Sequence, residues 1–167
     1  MTTIPFNADD IFEMAQQIER NGARFYRRAA QGITDSSARQ LLLDLAAMED
    51  EHEKVFASMR ADLSPEERKP TVIDPYGEAV LYLRGMADGH VYDVKVDPTK
   101  WITGKEAMEE ILRAAIGLEK DSIVFYLGLK DVVPERLGKQ RVDAIIKEEM
   151  GHIGVLSREM ASLKGKR

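Results

Sequence analysis

The sequence predicts an all-α protein: an antiparallel four-helix bundle made of two helix hairpins joined by a long crossover. Three observations support this prediction. Four segments have helical periodicity, chain-breaking residues concentrate between the second and third segments, and the two halves of the chain are similar to each other. The 167 residues correspond to one domain. We predict a single domain, 1–167, with hairpin 7–63, crossover 64–102 and hairpin 103–163.

The first two helices form the N-terminal hairpin of this prediction. The first helix begins at Asn7, a residue typical of N-caps, and apolar residues recur at intervals of three or four up to Gly32. The second opens at Ser37, with Gln40 as its capping-box partner, and ends at Pro65. The connection between them is short, so the two helices should lie antiparallel.

The segment after the second helix is the predicted crossover. Four of the six prolines lie in it, and proline cannot continue a helix. Within the crossover we predict a short helix at Tyr76–Met86 and an extended segment at Val91–Val96. A connection of this length between two hairpins occurs in one class of four-helix bundle.

The last two helices form the second hairpin. The third opens at Thr103, with Glu106 three residues later as a capping partner, and carries an apolar stripe. The fourth begins between Pro134 and Gln140 and continues the same periodicity. The predicted architecture is therefore hairpin, crossover, hairpin.

An internal repeat relates the two hairpins. When the chain is aligned with itself at an offset of 100 residues, identical residues coincide without a gap. Several of these coinciding residues are polar, a type that a hydrophobic core does not need. The coinciding pairs are Ala15/Ala115, Glu19/Glu119, Phe25/Phe125, Tyr26/Tyr126, Gln40/Gln140, Glu49/Glu149, His52/His152 and Val55/Val155.

The polar residues of the repeat are of the types that bind metals. In each hairpin the second helix carries a Glu and a His three residues apart, one turn along one face, and the first helix adds a Glu beside its inward stripe. Four inward carboxylates are costly to bury unless positive charge lies between them, and two divalent cations balance them with both imidazoles neutral. The predicted metal ligands are Glu19, Glu49, His52, Glu119, Glu149 and His152.

Carboxylates with one imidazole per metal suit iron or manganese, and this distribution over four helices is the di-metal carboxylate pattern of bundle cores. We predict two iron ions per chain, with manganese or zinc as substitutes. A single Glu-x-x-His is more often a solvated helix face, and it is the duplication that favours a metal site. Glu148 stays an alternative to Glu149, because it precedes His152 by four residues. Tyr26 and Tyr126 either pack in the core or support the ligands from behind.

The paired Glu…Glu-x-x-His pattern, with Phe-Tyr after the first Glu of each hairpin, resembles the rubrerythrin family of the ferritin-like superfamily. The resemblance covers about Asn7 to Met160. It implies a ferritin-like fold and a di-iron centre that reacts with peroxide or dioxygen. It further implies bridging roles for Glu49 and Glu149, terminal roles for Glu19 and Glu119, and one metal each for His52 and His152.

Two departures from that family accompany the resemblance. Rubrerythrins proper carry a rubredoxin module with four cysteines, and this chain has no cysteine. They also carry a second carboxylate on the third helix, whereas Ile116 and Ser122 lie one turn either side of Glu119 here. The expected electron donor is therefore external, such as a separate rubredoxin-like protein.

Composition limits the remaining function classes. A net charge of −5 argues against nucleic-acid binding, and the absence of cysteine excludes disulfides, thiolate metal sites and iron–sulfur clusters. We see no signal peptide and no apolar run that could span a membrane, so we expect a cytoplasmic protein, and we expect a homodimer.

The predicted function is a rubrerythrin-like non-haem di-iron oxidoreductase that reduces peroxide or dioxygen or oxidises Fe(II). Two alternatives stay open: a ferritin-like protein for iron binding or storage, and a non-catalytic helical bundle that serves as an interaction module. The redox interpretation is favoured because a scaffold has no use for four inward carboxylates that cost stability.

Overall fold

A computed structural model of the protein describes residues 7–69, 82, 100, 102–133 and 135–165. These residues form four long helices and no strand, which confirms the predicted fold class. None of the described helices is long and apolar enough to cross a membrane. The helices are α1 (Ala8–Gln31), α2 (Ser36–Ala61), α3 (Met108–Val132) and α4 (Lys139–Gly165), with a 3-10 helix at Glu135–Leu137 before α4.

The two hairpins are α1–α2 and α3–α4, and the helices of each pair pack closely along their length. The hairpins meet through contacts of α1 with α3 and of α2 with α4. The predicted short helix Tyr76–Met86 and the extended segment Val91–Val96 lie outside the described residues, apart from Tyr82. The Tyr82 hydroxyl donates a 3.0 Å hydrogen bond to the carbonyl of Val124 on α3.

The N-terminus of α1 confirms the sequence prediction. The Asn7 side chain accepts a hydrogen bond from the backbone N–H of Asp10, and the Asp10 carboxylate accepts one from the backbone N–H of Asn7. The start of α2 differs by a residue or two from the prediction. Asp35 caps it by accepting from the backbone N–H of Ala38 at 2.8 Å, while the Ser37 hydroxyl donates to Asp35.

The start of the third helix was predicted too early. Thr103 and Glu106 do form the expected hydrogen bonds, with 2.7 Å from the Thr103 N–H to a Glu106 oxygen, but these bonds close a loop. Gly104 has a φ of 84°, which interrupts any helix. The Arg28 guanidinium of α1 also binds the carbonyl of Thr103. Consequently α3 begins at Met108, five residues later than predicted.

A single hydrophobic core runs between the four helices. The apolar stripes that the sequence places on the inner faces are buried, including Ile11 on α1, Leu42 on α2, Leu112 on α3 and Val142 on α4. Burial of these stripes is the main term that holds the helices together, and it fixes which side chains of each helix face the bundle axis.

Candidate metal centre

The six predicted ligands lie about halfway along the four helices and face the same interior space. All six are buried, and none of them is more than 4% exposed. Each helix contributes the residues that the repeat predicts, so the structure brings together the full set: Glu19 from α1, Glu49 and His52 from α2, Glu119 from α3, Glu149 and His152 from α4.

The cluster divides into two groups of potential ligand atoms. Within each group, one donor atom per residue lies within 4.8 Å of every other. Glu49 and Glu149 belong to both groups, and the other members differ. The first group is Glu19, Glu49, His52 and Glu149, and the second is Glu49, Glu119, Glu149 and His152.

Both imidazoles point the same ring nitrogen at the carboxylates. Nδ1 of His52 lies 3.0 Å from Oε1 of Glu149, and Nδ1 of His152 lies 2.9 Å from Oε2 of the same carboxylate. Nδ1 of His152 is also 3.4 Å from Oε1 of Glu119. The two rings are nearly parallel, at 19°, with centroids 5.7 Å apart. Glu149 therefore lies between two imidazoles that face it from the two hairpins.

Several buried polar atoms of this cluster lie close together without forming hydrogen bonds. Oε2 of Glu19, both oxygens of Glu149, Nδ1 of His52 and both ring nitrogens of His152 have no hydrogen-bond partner among the described residues. An unpartnered buried polar atom costs about 1–3 kcal/mol, so several together need an explanation. Divalent cations coordinated by these oxygen and nitrogen atoms supply one. The donor set is therefore compatible with a di-iron site.

Two tyrosines each bind a carboxylate of the opposite hairpin. The Tyr26 hydroxyl of α1 donates to Oε1 of Glu119 on α3, and the Tyr126 hydroxyl of α3 donates to Oε1 of Glu19 on α1. Both tyrosines are buried. Both tyrosines therefore pack in the core and also contact candidate ligands, while support of bound metal ligands stays a prediction.

The side chain of Glu49 on α2 packs directly against Gly22 on α1. A Cβ at this position would lie 3.3 Å from Cδ of Glu49, tighter than ordinary van der Waals contact. The equivalent residue of the second hairpin is Ser122, whose hydroxyl donates to the carbonyl of Leu118 at 3.2 Å. The absent side chain at Gly22 thus leaves room for the shared carboxylate of Glu49.

Burial and mutual repulsion raise the pKa values of two carboxyl groups in the cluster. Desolvation, followed by the charges of Glu49 and Glu149, raises the pKa of Glu19 well above its ordinary value. Desolvation raises the pKa of Glu119 to about 7, although the nearby imidazole of His152 opposes the shift. Both carboxyl groups are therefore poor anions unless a positive charge lies beside them.

The pKa values of the two imidazoles are raised as well, but for a different reason. Burial alone would lower the pKa of His52, but the closeness of Glu149 and Glu19 outweighs it and raises the pKa to about 11. The same opposition, with Glu119, Glu149 and Glu49 as the carboxylates, raises the pKa of His152 to about 12. The neighbouring carboxylates thus favour the protonated form of both imidazoles when no metal is bound. Because a metal ligand must be a neutral imidazole, a bound metal ion would have to displace these protons.

Glu148 takes a place that sequence reasoning missed. The alternative kept open above was that it replaces Glu149 beside His152 on α4. Instead its Oε2 accepts a 2.9 Å hydrogen bond from Nε2 of His52 on α2. Its side chain is 53% exposed, so it lies at the outer edge of the cluster. Helical spacing within α4 carries no signal for a contact with α2.

No protein-family profile and no curated protein matches the sequence. A comparison with solved structures finds a candidate ferritin-like diiron-carboxylate protein from Thermotoga maritima, with a TM-score of 0.73 and 25% sequence identity. The similarity covers 93% of this chain and 95% of that chain. This neighbour supports the ferritin-like diiron superfamily without singling out the rubrerythrin family within it. The protein therefore has a ferritin-like fold, with a buried Glu/His cluster compatible with a di-iron site.

Proposed function

We propose that the protein is a di-iron oxidoreductase of rubrerythrin-like type, which reduces peroxide or dioxygen or oxidises Fe(II). The observation that carries this proposal is the sharing of Glu49 and Glu149 by both ligand groups. Carboxylates that belong to both groups would hold two metal ions side by side. Two Fe(II) ions held there would supply the two electrons that convert hydrogen peroxide and two protons into two water molecules.

The side chains around the centre have distinct tasks in this proposal. Glu49 and Glu149 would contribute to both metal positions, and the four remaining ligands would be divided between the two positions. Tyr26 and Tyr126 fix the orientation of the terminal carboxylates through their hydroxyl groups. Burial keeps bulk water from the cluster, so the charges of the carboxylates act with little screening and favour the more highly charged ferric state.

Electrons for repeated turnover must come from outside the chain in this proposal. The chain has no cysteine and therefore no thiolate-bound iron module of its own. A separate rubredoxin-like protein is the kind of donor that fits, and the expected homodimer and cytoplasmic location stay predictions of the sequence. A storage protein would take up iron without needing such a donor.

The reaction of anaerobically Fe(II)-loaded protein with hydrogen peroxide tests the proposal. Stopped-flow spectroscopy should show ferric absorption in the near ultraviolet within seconds, with one peroxide consumed for every two irons oxidised. Glu19→Gln should slow the reaction by roughly tenfold or more, because it removes a ligand charge. The matched control is Glu51→Gln on α2, whose side chain is 70% exposed and paired with Lys54.

Iron that is oxidised no faster than free Fe(II) would contradict the redox proposal. In that case the storage and interaction-module alternatives would remain. Equal rates for the wild type, Glu19→Gln and Glu51→Gln would also contradict it, because the reaction would then take place outside the cluster. The same measurement with dioxygen in place of peroxide identifies the preferred oxidant.

A further inference from the structure

The two histidines of the cluster differ in what surrounds Nε2, the ring nitrogen that points away from the buried carboxylates. Nε2 of His52 is bonded to Oε2 of Glu148 at 2.9 Å. Nε2 of His152 is buried and has no hydrogen-bond partner among the residues that the structure describes. The inner sides are alike, because both rings aim Nδ1 at the carboxylates. The near-symmetry of the centre is therefore broken at one specific contact.

The internal repeat shows what causes this break. At the offset of 100 residues, the position of Glu148 on α4 corresponds to Met48 on α2. Both positions are partly exposed, Met48 at 37%, so their burial is of a similar kind while their chemistry differs. A thioether is a weak acceptor and cannot replace a carboxylate beside an imidazole N–H.

A carboxylate on Nε2 determines how the ring can serve a metal. The carboxylate accepts, so Nε2 carries the proton and the lone pair of neutral His52 is on Nδ1, which faces the cluster. Such a partner also fixes the ring orientation and makes the ligating nitrogen more basic. His152 has no such partner among the described residues, so its tautomer and orientation are less constrained.

We propose that Glu148 is a positioning residue for His52, and that it makes the metal position of the His52 group bind its ion more tightly than that of the His152 group. The two ions of the centre are therefore acquired in a defined order, first beside His52 and then beside His152. This inference rests on the di-metal centre of the proposed function, but it does not depend on any redox reaction.

Isothermal titration calorimetry of the metal-free chain with Co(II), carried out without air, tests the order in which the two ions bind. The wild type should bind two Co(II) in two resolved steps. Glu148→Ala should weaken the tighter step by roughly 10–100-fold and leave the weaker step unchanged. Glu148→Gln should retain most of the affinity, because its amide oxygen still accepts from Nε2. The matched control Glu51→Ala removes an exposed charge next to His52 and should change neither step.

A variant in the opposite direction sharpens the test. Met48→Glu places a carboxylate at the position that the internal repeat makes equivalent to Glu148. It should tighten the weaker step and bring the two affinities together. Because this variant adds an interaction, a general loss of folding cannot produce the expected result.

Nuclear magnetic resonance of the Zn(II)-loaded chain gives a second readout. Long-range 1H–15N correlations should show His52 protonated at Nε2, with slow exchange of that proton in the wild type and in Glu148→Gln. In Glu148→Ala the proton should exchange faster, which a role in packing alone would not produce. The rings of His52 and His152 should differ in this respect in the wild type.

Three results would overturn the inference: no change on Glu148→Ala, equal weakening of both steps, or His52 bound through Nε2. A wild-type chain that binds no Co(II) would refute the metal centre and the inference together. A chain that binds two Co(II) as expected but does not react as Fe(II) protein with peroxide would refute the redox function and leave this inference standing.

Discussion

The two hairpins carry the same candidate ligands, but different interactions join their helices on the outside. In the first hairpin, Arg60 of α2 binds both Asp9 and Glu13 of α1. Arg20 of α1 binds Glu13 at 2.7 Å and Glu53 of α2 at 3.1 Å. Glu13 thus connects two arginines, and the charges form a network along the α1–α2 seam.

The corresponding seam of the second hairpin has a simpler pattern. Among the described residues, an ion pair across α3 and α4 joins Lys130 and Asp143 at 2.7 Å. The repeat therefore matches closely at the centre and loosely at the surface. The comparison shows that the candidate ligands are the same in both hairpins, while different ion pairs join the helices at the surface.

The largest effects should come from the residues that both halves of the centre share. Glu49→Gln or Glu149→Gln removes a member of both ligand groups, so each should reduce bound iron from about two ions per chain to nearly none. Glu19→Gln and Glu119→Gln each affect one group and should leave about one ion. Elemental analysis after anaerobic Fe(II) loading measures this. A loss of one ion in all four variants would contradict the shared roles.

Metal removal should lower the melting temperature of the whole protein. At free metal 100-fold above the dissociation constant, each site stabilises the folded state by about 2.7 kcal/mol. Two sites should therefore raise the melting temperature by roughly 10–20 °C. The double variant Glu49→Gln/Glu149→Gln should ignore the metal, yet melt higher than the chelated wild type because it carries less buried negative charge. Calorimetry with and without chelator decides this, and a wild type indifferent to metal would contradict it.

The two tyrosine bonds should be equivalent if the hairpins are equivalent at the centre. Tyr26→Phe and Tyr126→Phe each leave one buried carboxylate oxygen without its donor, which should cost about 1–3 kcal/mol of unfolding free energy. Urea denaturation of the chelated proteins measures both. Losses of unfolding free energy that differ by more than about 1 kcal/mol would show that the two tyrosine bonds are energetically unequal despite their similar geometry.

Loss of an ion pair should reduce the free energy of unfolding more at the α1–α2 seam than at the α3–α4 seam. Arg60→Met removes the bonds to Asp9 and Glu13 in a partly buried network and should cost about 1–2 kcal/mol, whereas Lys130→Met should cost less than about 1 kcal/mol. Both replacements keep the apolar stem of the side chain. Urea denaturation at one pH compares them, and equal costs would remove the distinction between the seams.

The smallest expected effect is the pH dependence of the stability that the Asp9–Arg60 ion pair contributes to the α1–α2 seam. Hydrogen bonding from Arg60, against the effect of burial, holds the pKa of Asp9 below its ordinary value of 3.8. Since the folded pKa is the lower one, the stabilisation is complete above about pH 4–5 and is lost as the pH falls through the folded pKa. The stability difference between wild type and Asp9→Asn should therefore be constant near neutrality and shrink below pH 4. A difference that grows on acidification would contradict this sign.

The ligand positions could be predicted from sequence because the duplication selects them without any knowledge of packing. Helical period assigns Glu19 and Tyr26 to one side of α1, and the structure agrees. Period cannot say which helix lies opposite, so the bonds of Tyr26 to Glu119 and of Glu148 to His52 were not predictable. Both depend on how the hairpins dock.

The start of α3 could not be placed for a different reason. Thr103 and Glu106 have the spacing of a capping box, and that spacing also closes a loop when the residue between them turns the chain. The positive φ of Gly104 and the bond from Arg28 to the Thr103 carbonyl are properties of the folded chain. Local sequence alone favoured the helix, and tertiary contacts chose the loop.

The crossed tyrosine bonds bear on when the proposed di-iron centre could first form during folding. Each hairpin supplies the hydroxyl that sets the other hairpin's carboxylate, so neither half can assemble a finished half-centre alone. Metal capture then reports the docking of the hairpins rather than the formation of either one. A nascent chain with only α1 and α2 complete would lack the ligands and the tyrosine hydroxyl of the second hairpin. Such a chain would bind iron weakly until the two hairpins have docked.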